Sequence, residues 1–175
     1  VQVGARVLDV SPGRDSATLS VGSVGPVQAR AVVLACGASY AMQRRLGLGL
    51  PSVHLQSAQV EIPARVLGPV EVHFGHRVAP KGFAWAVPVV RPHGRFARIG
   101  LMCDGNAREY FDRFLAAVAP RWQTGADPAT VDRPEPRCKM LPLGPLRQTF
   151  GPRLLAIGDA AGLVKATTGG GIYYS

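Results

Sequence analysis

The sequence places an acidic residue at the end of an apolar run, among small residues. The run Leu154–Ile157 is followed by Gly158-Asp159-Ala160-Ala161-Gly162, and the glycines Gly169–Gly171 come after a short spacer. A carboxylate just past a strand end can accept hydrogen bonds from sugar hydroxyls, and small neighbours let a ligand approach the backbone. A glycine turn that opens a helix presents free amide groups to an electron-rich or anionic group. The pattern predicts a site for a ligand that carries both kinds of group.

The three cysteines show no pairing pattern. They are far apart, odd in number and in no Cys-x-x-Cys arrangement: Cys36, Cys103 and Cys138. Such spacing predicts neither a disulfide framework nor a zinc site, and a reducing compartment is the default. A cysteine beside a glycine at a strand end can be a reactive thiol, but buried cysteine commonly serves as a small apolar residue. We expect the second role for Cys36.

The histidines also lack the spacing of metal ligands. His73 and His76 are three apart on a predicted strand and its end, so their side chains should point to opposite faces. His54 and His93 fall in predicted loops, without a carboxylate or cysteine partner at ligand spacing. We expect no metal site.

The charge of the chain favours an anionic partner. The 175 residues carry a formal net charge of +9, almost all of it from arginine. A positive field attracts a pyrophosphate, an acidic lipid head group or a nucleic acid without choosing among them. Arg44-Arg45 is the one adjacent basic pair, and no longer basic run appears. We therefore expect no nucleic-acid binding, and a solvated basic surface is the simpler explanation.

Apolar periodicity predicts two kinds of sheet. A hairpin, a strand buried on both faces as in a parallel sheet, and a short helix come first: Val3–Val10 with Thr18–Val21, then Ala29–Ala35, then Tyr40–Leu46. Alternating strands of an antiparallel sheet and one amphipathic helix follow: Ser57–Ile62, Val70–Phe74, Phe83–Val90, Arg95–Cys103 and the helix Asn106–Ala119. Residues 121–152 are proline-rich and predicted to be irregular, after which Arg153–Ile157 returns to the first sheet.

The two ends of the sequence suggest an internal fragment. Val1 precedes an early strand without a signal peptide, and the glycine turn at Gly169–Gly171 opens a helix whose body is missing. We expect further segments on both sides.

Three segments carry a resemblance to a known family. The run Gly158–Gly162 with Gly169–Ile172 resembles the second FAD-binding motif of flavoproteins built like aromatic hydroxylases. Within that group the chain is most similar to the geranylgeranyl reductase family, through the strand end Val32–Ala38 and the segment Gly82–Pro88, which is similar to an aromatic-x-Trp-x-x-Pro motif. The resemblance spans Val32 to Ile172.

The resemblance implies a fold and a domain plan. It implies an α/β (α+β) fold with an incomplete FAD-binding Rossmann-like sheet and an inserted antiparallel substrate-binding domain. Residues 1–51 would belong to the FAD-binding domain, residues 52–145 to the substrate domain, and residues 146–175 to a truncated second FAD-contacting segment.

The resemblance also implies roles for particular residues. Asp159 would hydrogen-bond the ribityl chain of FAD, and the backbone of Gly169–Gly171 would lie against the flavin. The expected cofactor-binding residues are Gly158, Asp159, Ala160, Ala161, Gly169, Gly170, Gly171 and Ile172. Trp85 and Phe83 are expected to bind substrate, with a core position of the antiparallel sheet as the alternative for Trp85. Lys165 is interpreted as an exposed lysine rather than a phosphate contact, and no catalytic acid or base is assigned.

The sequence departs from the hydroxylase pattern after the first buried strand. Cys36-Gly37 stands where hydroxylases carry Asp-Gly, and Tyr40 and Gln43 occupy the positions of their serine and arginine. Gly162 fits the reductase branch, whereas Ala166 matches neither branch well. No Gly-x-Gly-x-x-Gly turn is present, since Gly47-Leu48-Gly49 lacks the third glycine, so we expect the chain alone to bind FAD weakly or not at all.

By this resemblance the intact protein reduces isoprenoid double bonds with FAD and with NAD(P)H or ferredoxin as electron donor. A flavin-dependent monooxygenase or halogenase is the alternative enzyme, and a non-catalytic basic module that binds lipid or nucleic acid is the alternative from another class. No apolar run approaches the length of a membrane span. We expect a cytoplasmic protein with possible peripheral membrane association.

Overall fold

The computed structural model describes residues 1–122, 135–165 and 170. Its strands and helices follow in chain order: β1 Val7–Pro12, β2 Ala17–Val21, β3 Gly25–Ala29, β4 Val32–Leu34, α1 Ala41–Arg45, β5 His54–Pro63, β6 Glu71–His73, β7 Phe83–Arg91, β8 Gly94–Cys103, α2 Ala107–Val118, β9 Arg137–Pro142, β10 Phe150–Gly151 and β11 Leu154–Ala156. Short 3₁₀ turns cover Ala119–Trp122 and Gly158–Ala161.

The chain divides into two compact units. One unit comprises residues 1–54 and 141–175, and the other comprises residues 55–140. The boundaries predicted from the sequence lie at residues 51/52 and 145/146, a few residues away from this division.

The first unit contains two small sheets. Strands β1, β2 and β3 form an antiparallel meander, while β10, β11 and β4 form the second sheet. In the second sheet β4 and β11 run parallel, with Val32 opposite Leu154 and Leu34 opposite Ala156. The predicted return of the chain to its first sheet is therefore confirmed, and this pairing places the Gly158 turn and the loop after β4 at the same sheet edge.

The core of the first unit is small and aliphatic. Val32, Leu34, Leu154 and Ala156 pack on its sheet side, joined by Leu48 and Leu146. The alternate residues of the same strands, Val33 and Leu155, are 54% and 43% exposed. The expectation of a strand buried on both faces is thus wrong for the described residues, because only one face of this sheet is covered.

The second unit is built on one antiparallel sheet, with strand order β6-β7-β8-β5-β9. Strands β7 and β8 pair along their full lengths, from Phe83 opposite Met102 to Arg91 opposite Gly94. Strand β8 pairs on its other side with β5, where Glu61 lies opposite Arg98. The predicted antiparallel sheet is confirmed.

Helix α2 covers one face of this sheet. The Asn106 side chain caps its N-terminus by accepting a hydrogen bond from the Glu109 amide. Phe111, Phe114 and Leu115 lie on its buried face and pack with the alanine- and leucine-rich face of β7 and β8. Packing of this apolar stripe stabilises the amphipathic helix that the sequence predicts.

Several sequence expectations need correction. Strand β3 was not predicted, and strands β9 and β10 lie within residues 121–152, where irregular structure was expected. Strand β9 is mostly exposed and lies at the sheet edge, where pairing with β5 rather than an apolar pattern defines it. His54 begins β5 instead of lying in a loop.

Candidate functional site

The sequence Gly158-Asp159-Ala160-Ala161 forms a tight 3₁₀ turn directly after β11. Ile157 is extended, the turn follows, and Gly162 ends it in the left-handed region at φ 74°. The Gly162 and Leu163 amides donate to the carbonyls of Asp159 and Gly158, at 3.1 Å each. These bonds fix the direction in which Asp159 leaves the sheet.

Gly162 is required at the end of this turn for two reasons. Its positive φ is one that side chains other than glycine rarely adopt, and a Cβ atom there would overlap the carbonyl of Gly144. In the same place the Leu146 amide donates to the Ala161 carbonyl at 2.8 Å. The turn is therefore packed closely against the segment before β10.

Two side chains from the loop and helix after β4 hold this turn. The Tyr40 hydroxyl donates to the backbone carbonyl of Asp159 at 2.6 Å. The Gln43 amide nitrogen donates to the carbonyl of Ala160 at 3.0 Å and to the Cys36 sulfur at 3.4 Å. The parallel pairing of β4 with β11 brings these segments together, although they are more than a hundred residues apart in sequence.

Gln43 is the most unusual of these side chains. It is the buried polar residue of the described chain, at 0% exposure, and its Oε1 has no hydrogen-bond partner there. An unsatisfied buried acceptor is destabilising, and the two bonds made by Nε2 offset part of that cost. The sequence analysis placed Tyr40 and Gln43 at the positions of the serine and arginine of hydroxylases, but it did not predict these contacts.

The surroundings of Tyr40 perturb its ionisation. Burial, with smaller effects from the Asp159 carboxylate and Cys36, raises the pKa of Tyr40 to about 12. Each of these causes disfavours the phenolate. Tyr40 is therefore a stable hydrogen-bond donor at neutral pH and is unsuited to act as a base there.

The Asp159 carboxylate itself remains available to a ligand. It is half-buried, and it makes no hydrogen bond or ion pair with the residues that the structure describes. Its neighbours Ala160 and Ala161 are fully buried, so no large side chain of the turn stands beside it. An acceptor in a rigid turn of small residues fits a polyhydroxyl chain such as the ribityl group of FAD.

The second glycine cluster is only partly described. Gly170 is exposed, and its carbonyl accepts a 2.9 Å hydrogen bond from the Lys165 amide. Gly169, Gly171 and Ile172 lie outside the described residues. Lys165 is exposed, as expected from the sequence.

Trp85 and Phe83 lie in the second unit, on strand β7. Both are half-buried, and their ring centroids are 5.5 Å apart. Phe74 continues the aromatic series at 6.0 Å from Phe83 and is 73% exposed. Trp85 is on the sheet face opposite the α2 core, because Ala84 and Ala86 on either side of it are fully buried in that core. Among the described residues, Trp85 is therefore not part of the core that α2 covers.

Cys36 is exposed rather than buried, contrary to the sequence expectation. It follows β4 at the sheet edge, where its thiol contacts the Ser39 carbonyl at 3.6 Å.

The sequence also predicts no metal site. In the described part of the chain, His, Cys, Asp and Glu side chains form no group of three or more that could hold a metal ion. Within residues 1–122 and 135–165, no helix is long and apolar enough to cross a membrane.

Comparison with curated proteins decides the family. The chain is 29% identical to the digeranylgeranylglycerophospholipid reductase of Methanoculleus marisnigri, over 96% of its own length. It is 30% identical to digeranylgeranylglycerophospholipid reductase 2 of Methanothermobacter thermautotrophicus, over 86% of its length. The chain belongs to the geranylgeranyl reductase family of flavoproteins. It spans 42% and 38% of the lengths of these two relatives, and no family model matches it.

Solved structures share the fold of this geranylgeranyl reductase homologue. A geranylgeranyl bacteriochlorophyll reductase-like protein from Thermoplasma acidophilum matches 96% of the chain with a TM-score of 0.73 and 21% identity, and the match covers 44% of that protein. A flavin-dependent halogenase from Brevundimonas matches 98% with a TM-score of 0.64 and 20% identity, covering 34% of the halogenase. The fold is thus that of FAD-dependent oxidoreductases, shared by reductases and halogenases.

Proposed function

We propose that the intact protein is an FAD-dependent oxidoreductase that reduces isoprenoid double bonds. The observation that carries this proposal is the match of 86% to 96% of the chain to curated digeranylgeranylglycerophospholipid reductases. The relatives are more than twice as long, so the proposal concerns the protein that contains this chain and not the chain in isolation. We expect the chain alone to be inactive.

In this proposal the Gly158 turn holds part of the FAD. The Asp159 carboxylate accepts hydrogen bonds from the ribityl hydroxyls, and the small residues Gly158, Ala160 and Ala161 let the cofactor approach. By the family resemblance, the backbone of Gly169–Gly171 with Ile172 would contact the flavin ring. FAD supplies the hydride when it is reduced, and NAD(P)H or ferredoxin supplies the electrons to it.

The protein's own share of the reaction is to bind and orient the alkene. Trp85 and Phe83 present adjoining aromatic faces that can align an isoprenoid chain and exclude water. No carboxyl or imidazole in the described chain is assigned as proton donor. The protein is proposed to act in the cytoplasm on an isoprenoid lipid, with peripheral association with the membrane that holds such lipids.

Anaerobic turnover tests this function. The intact protein, reduced stoichiometrically and mixed with a geranylgeranyl lipid without oxygen, should reoxidise its flavin and yield a product two mass units heavier per reduced bond. Asp159→Asn should weaken FAD binding, measured by flavin fluorescence, about tenfold, because a charged acceptor is lost. Asp15→Asn, in the exposed β1–β2 turn, is the matched control and should bind FAD normally.

Oxygen dependence distinguishes the alternative enzyme from a reductase. The fold shared with a flavin-dependent halogenase favours a monooxygenase or halogenase as the second candidate. In one outcome the flavin stays reduced with the lipid under anaerobic conditions, and is reoxidised only with oxygen, with formation of an oxygenated or halogenated product. That outcome would overturn the reductase proposal.

A further inference from the structure

The open face of the second-unit sheet has an apolar end and a cationic end. On strand β7, Phe83, Trp85 and Val87 alternate with the buried alanines and share the face opposite α2 with Arg91. The Arg91 guanidinium bonds Glu61, which lies at the level of Val87, so the cationic end begins about 13 Å along the strand from Phe83, at roughly 3.3 Å per residue. A ligand that contacts both ends must be extended.

The apolar end is a flat aromatic surface. Gly100 lies opposite Trp85 on β8, and a Cβ atom there would be 2.5 Å from the indole ring. The indole therefore lies across strand β8 instead of standing away from the sheet. With Phe83 beside it, this surface suits a long apolar chain that lies along the strand.

The cationic end is built from two arginines on one carboxylate. Arg91 donates to Glu61 through Nε at 3.0 Å and Nη2 at 3.1 Å. Arg98 donates to the same carboxylate through Nε at 3.2 Å and Nη2 at 2.9 Å. Arg98 and Glu61 lie opposite each other on β8 and β5, at the level of Val87 on β7. Arg91 is four residues farther along β7, and its side chain reaches back to the same carboxylate.

This cluster retains both positive charge and free donors. Two guanidinium charges against one carboxylate leave a net +1, and the three side chains are 27% to 40% exposed. A guanidinium has five N–H donors. The bonds to Glu61 occupy one Nε–H and one Nη2–H of each arginine, so the Nη1 groups remain available in the described chain. Held by Glu61, the two forks are pre-oriented for a planar or tetrahedral anion.

We propose that this face binds a lipid lengthwise, with the isoprenoid chain on Phe83 and Trp85 and a phosphate-ester head group on Arg91 and Arg98. The proposal rests on the proposed function and adds the residues that recognise the charged end of the substrate. Charge complementarity identifies the ligand. The strand joins an apolar surface to a cationic cluster, and an anionic amphiphile has an apolar chain and a negative head group that match them.

Binding measured apart from turnover tests this assignment. The intact protein and its Arg91→Met/Arg98→Met variant are titrated calorimetrically with a geranylgeranyl monophosphate and with geranylgeraniol, which has the same chain and a neutral head. We expect the double variant to lose about tenfold or more in affinity for the phosphate and to bind the alcohol as the wild type does. Arg113→Met, which removes an exposed arginine paired with Glu109 on α2, is the matched control.

The outcomes separate this proposal from the function itself. Equal losses for phosphate and alcohol, or no loss for either, would overturn the head-group assignment. If the wild type also binds inorganic phosphate as tightly as the lipid phosphate, the aromatic surface contributes nothing and the lengthwise placement is wrong. Reduction of geranylgeranyl lipids that continues unchanged in the double variant would sink this proposal alone, whereas absence of reduction in the wild type would sink the proposed function.

Discussion

The hydroxyl of Tyr40 donates a 2.6 Å hydrogen bond to the backbone carbonyl of Asp159. This bond connects the loop after β4 with the turn after β11, and it leaves the Asp159 carboxylate without a described partner. Gln43 makes a second connection to the next carbonyl of the turn. The turn is thus held by its backbone while its acidic side chain remains available, as a ligand-binding carboxylate requires.

The raised pKa of Tyr40 predicts a loss of stability in alkali. Its pKa is 10.0 ordinarily and about 12 in the fold, so the folded state retains the proton longer than the unfolded state. The stabilising contribution is complete below pH 10 and disappears as the pH rises through 12. Tyr40→Phe should remove this alkaline dependence and cost about 1 kcal/mol at neutral pH through the lost hydrogen bond. Denaturant unfolding of the intact protein at pH 8 and pH 11 measures both effects.

Tyr110→Phe is the control for this experiment, since the Tyr110 ring contacts the Arg113 guanidinium on helix α2 instead of the turn. It should retain the alkaline loss. An alkaline loss of equal size in Tyr40→Phe would show that the turn does not depend on the Tyr40 hydroxyl.

Gly162→Ala should destabilise the turn. The new Cβ would overlap the Gly144 carbonyl, and the residue would have to keep φ at 74°. Strain of this kind costs about 1–3 kcal/mol, and relief by movement of the turn would displace Asp159. We expect lower thermal stability together with weaker FAD binding. Gly151→Ala, in β10 with no atom within 4 Å of its added Cβ, should change neither property.

Gly100→Ala should displace the Trp85 indole. The added methyl group meets the ring at 2.5 Å, and a backbone carbonyl of Ala58 limits movement on the other side at 3.1 Å. Overpacking of this kind costs about 1–3 kcal/mol. Of the two tryptophans in this sequence, Trp122 is 1% exposed and Trp85 is half-buried, so the difference in acrylamide quenching between the variant and the wild type should report mainly on Trp85. We expect greater quenching in Gly100→Ala, and quenching that equals the wild type would contradict the flat placement of the ring.

Sequence patterns predicted those parts of the fold that depend on periodicity and turn chemistry. The alternation in Phe83–Val90 and Arg95–Cys103 is imposed by a sheet with one face covered, so β7 and β8 could be predicted within a few residues. Strand β9 could not, because it is exposed at the sheet edge and its residues carry little apolar signal. Its structure depends on the partner strand.

The candidate site likewise has a part that local sequence predicts and a part that it does not. Asp159 and its small neighbours could be selected from local sequence, since an acidic residue among small residues after an apolar run is itself a local pattern. The contacts of Tyr40 and Gln43 depend on the parallel register of β4 with β11, which no local pattern encodes. The exposure of Cys36 and Val33 was missed for a similar reason: a strand of apolar residues predicts burial but does not show how many faces are covered.

The Arg91–Glu61–Arg98 cluster predicts how the second unit responds to acid. Hydrogen bonds from Arg91, and then from Arg98, lower the pKa of Glu61 from 4.5 to about 2. A carboxyl with a lowered pKa stabilises the fold fully above pH 4.5, and this contribution is lost as the pH falls through 2. Arg91→Met should raise the pKa of Glu61, measured by NMR of its side-chain carboxyl carbon, and reduce the acid-dependent loss of stability between these values.

The effect should be specific to the arginines that contact Glu61. Arg113→Met removes the same charge from helix α2, where the guanidinium bonds Glu109 at 3.1 Å, and should leave the Glu61 titration unchanged. If both variants moved the Glu61 pKa equally, the general positive field of the protein rather than the two direct hydrogen bonds would hold the carboxyl ionised. A Glu61 that stays ionised throughout the physiological range keeps both guanidinium groups oriented, so the geometry of the cationic end of the sheet should not change from pH 5 to pH 8.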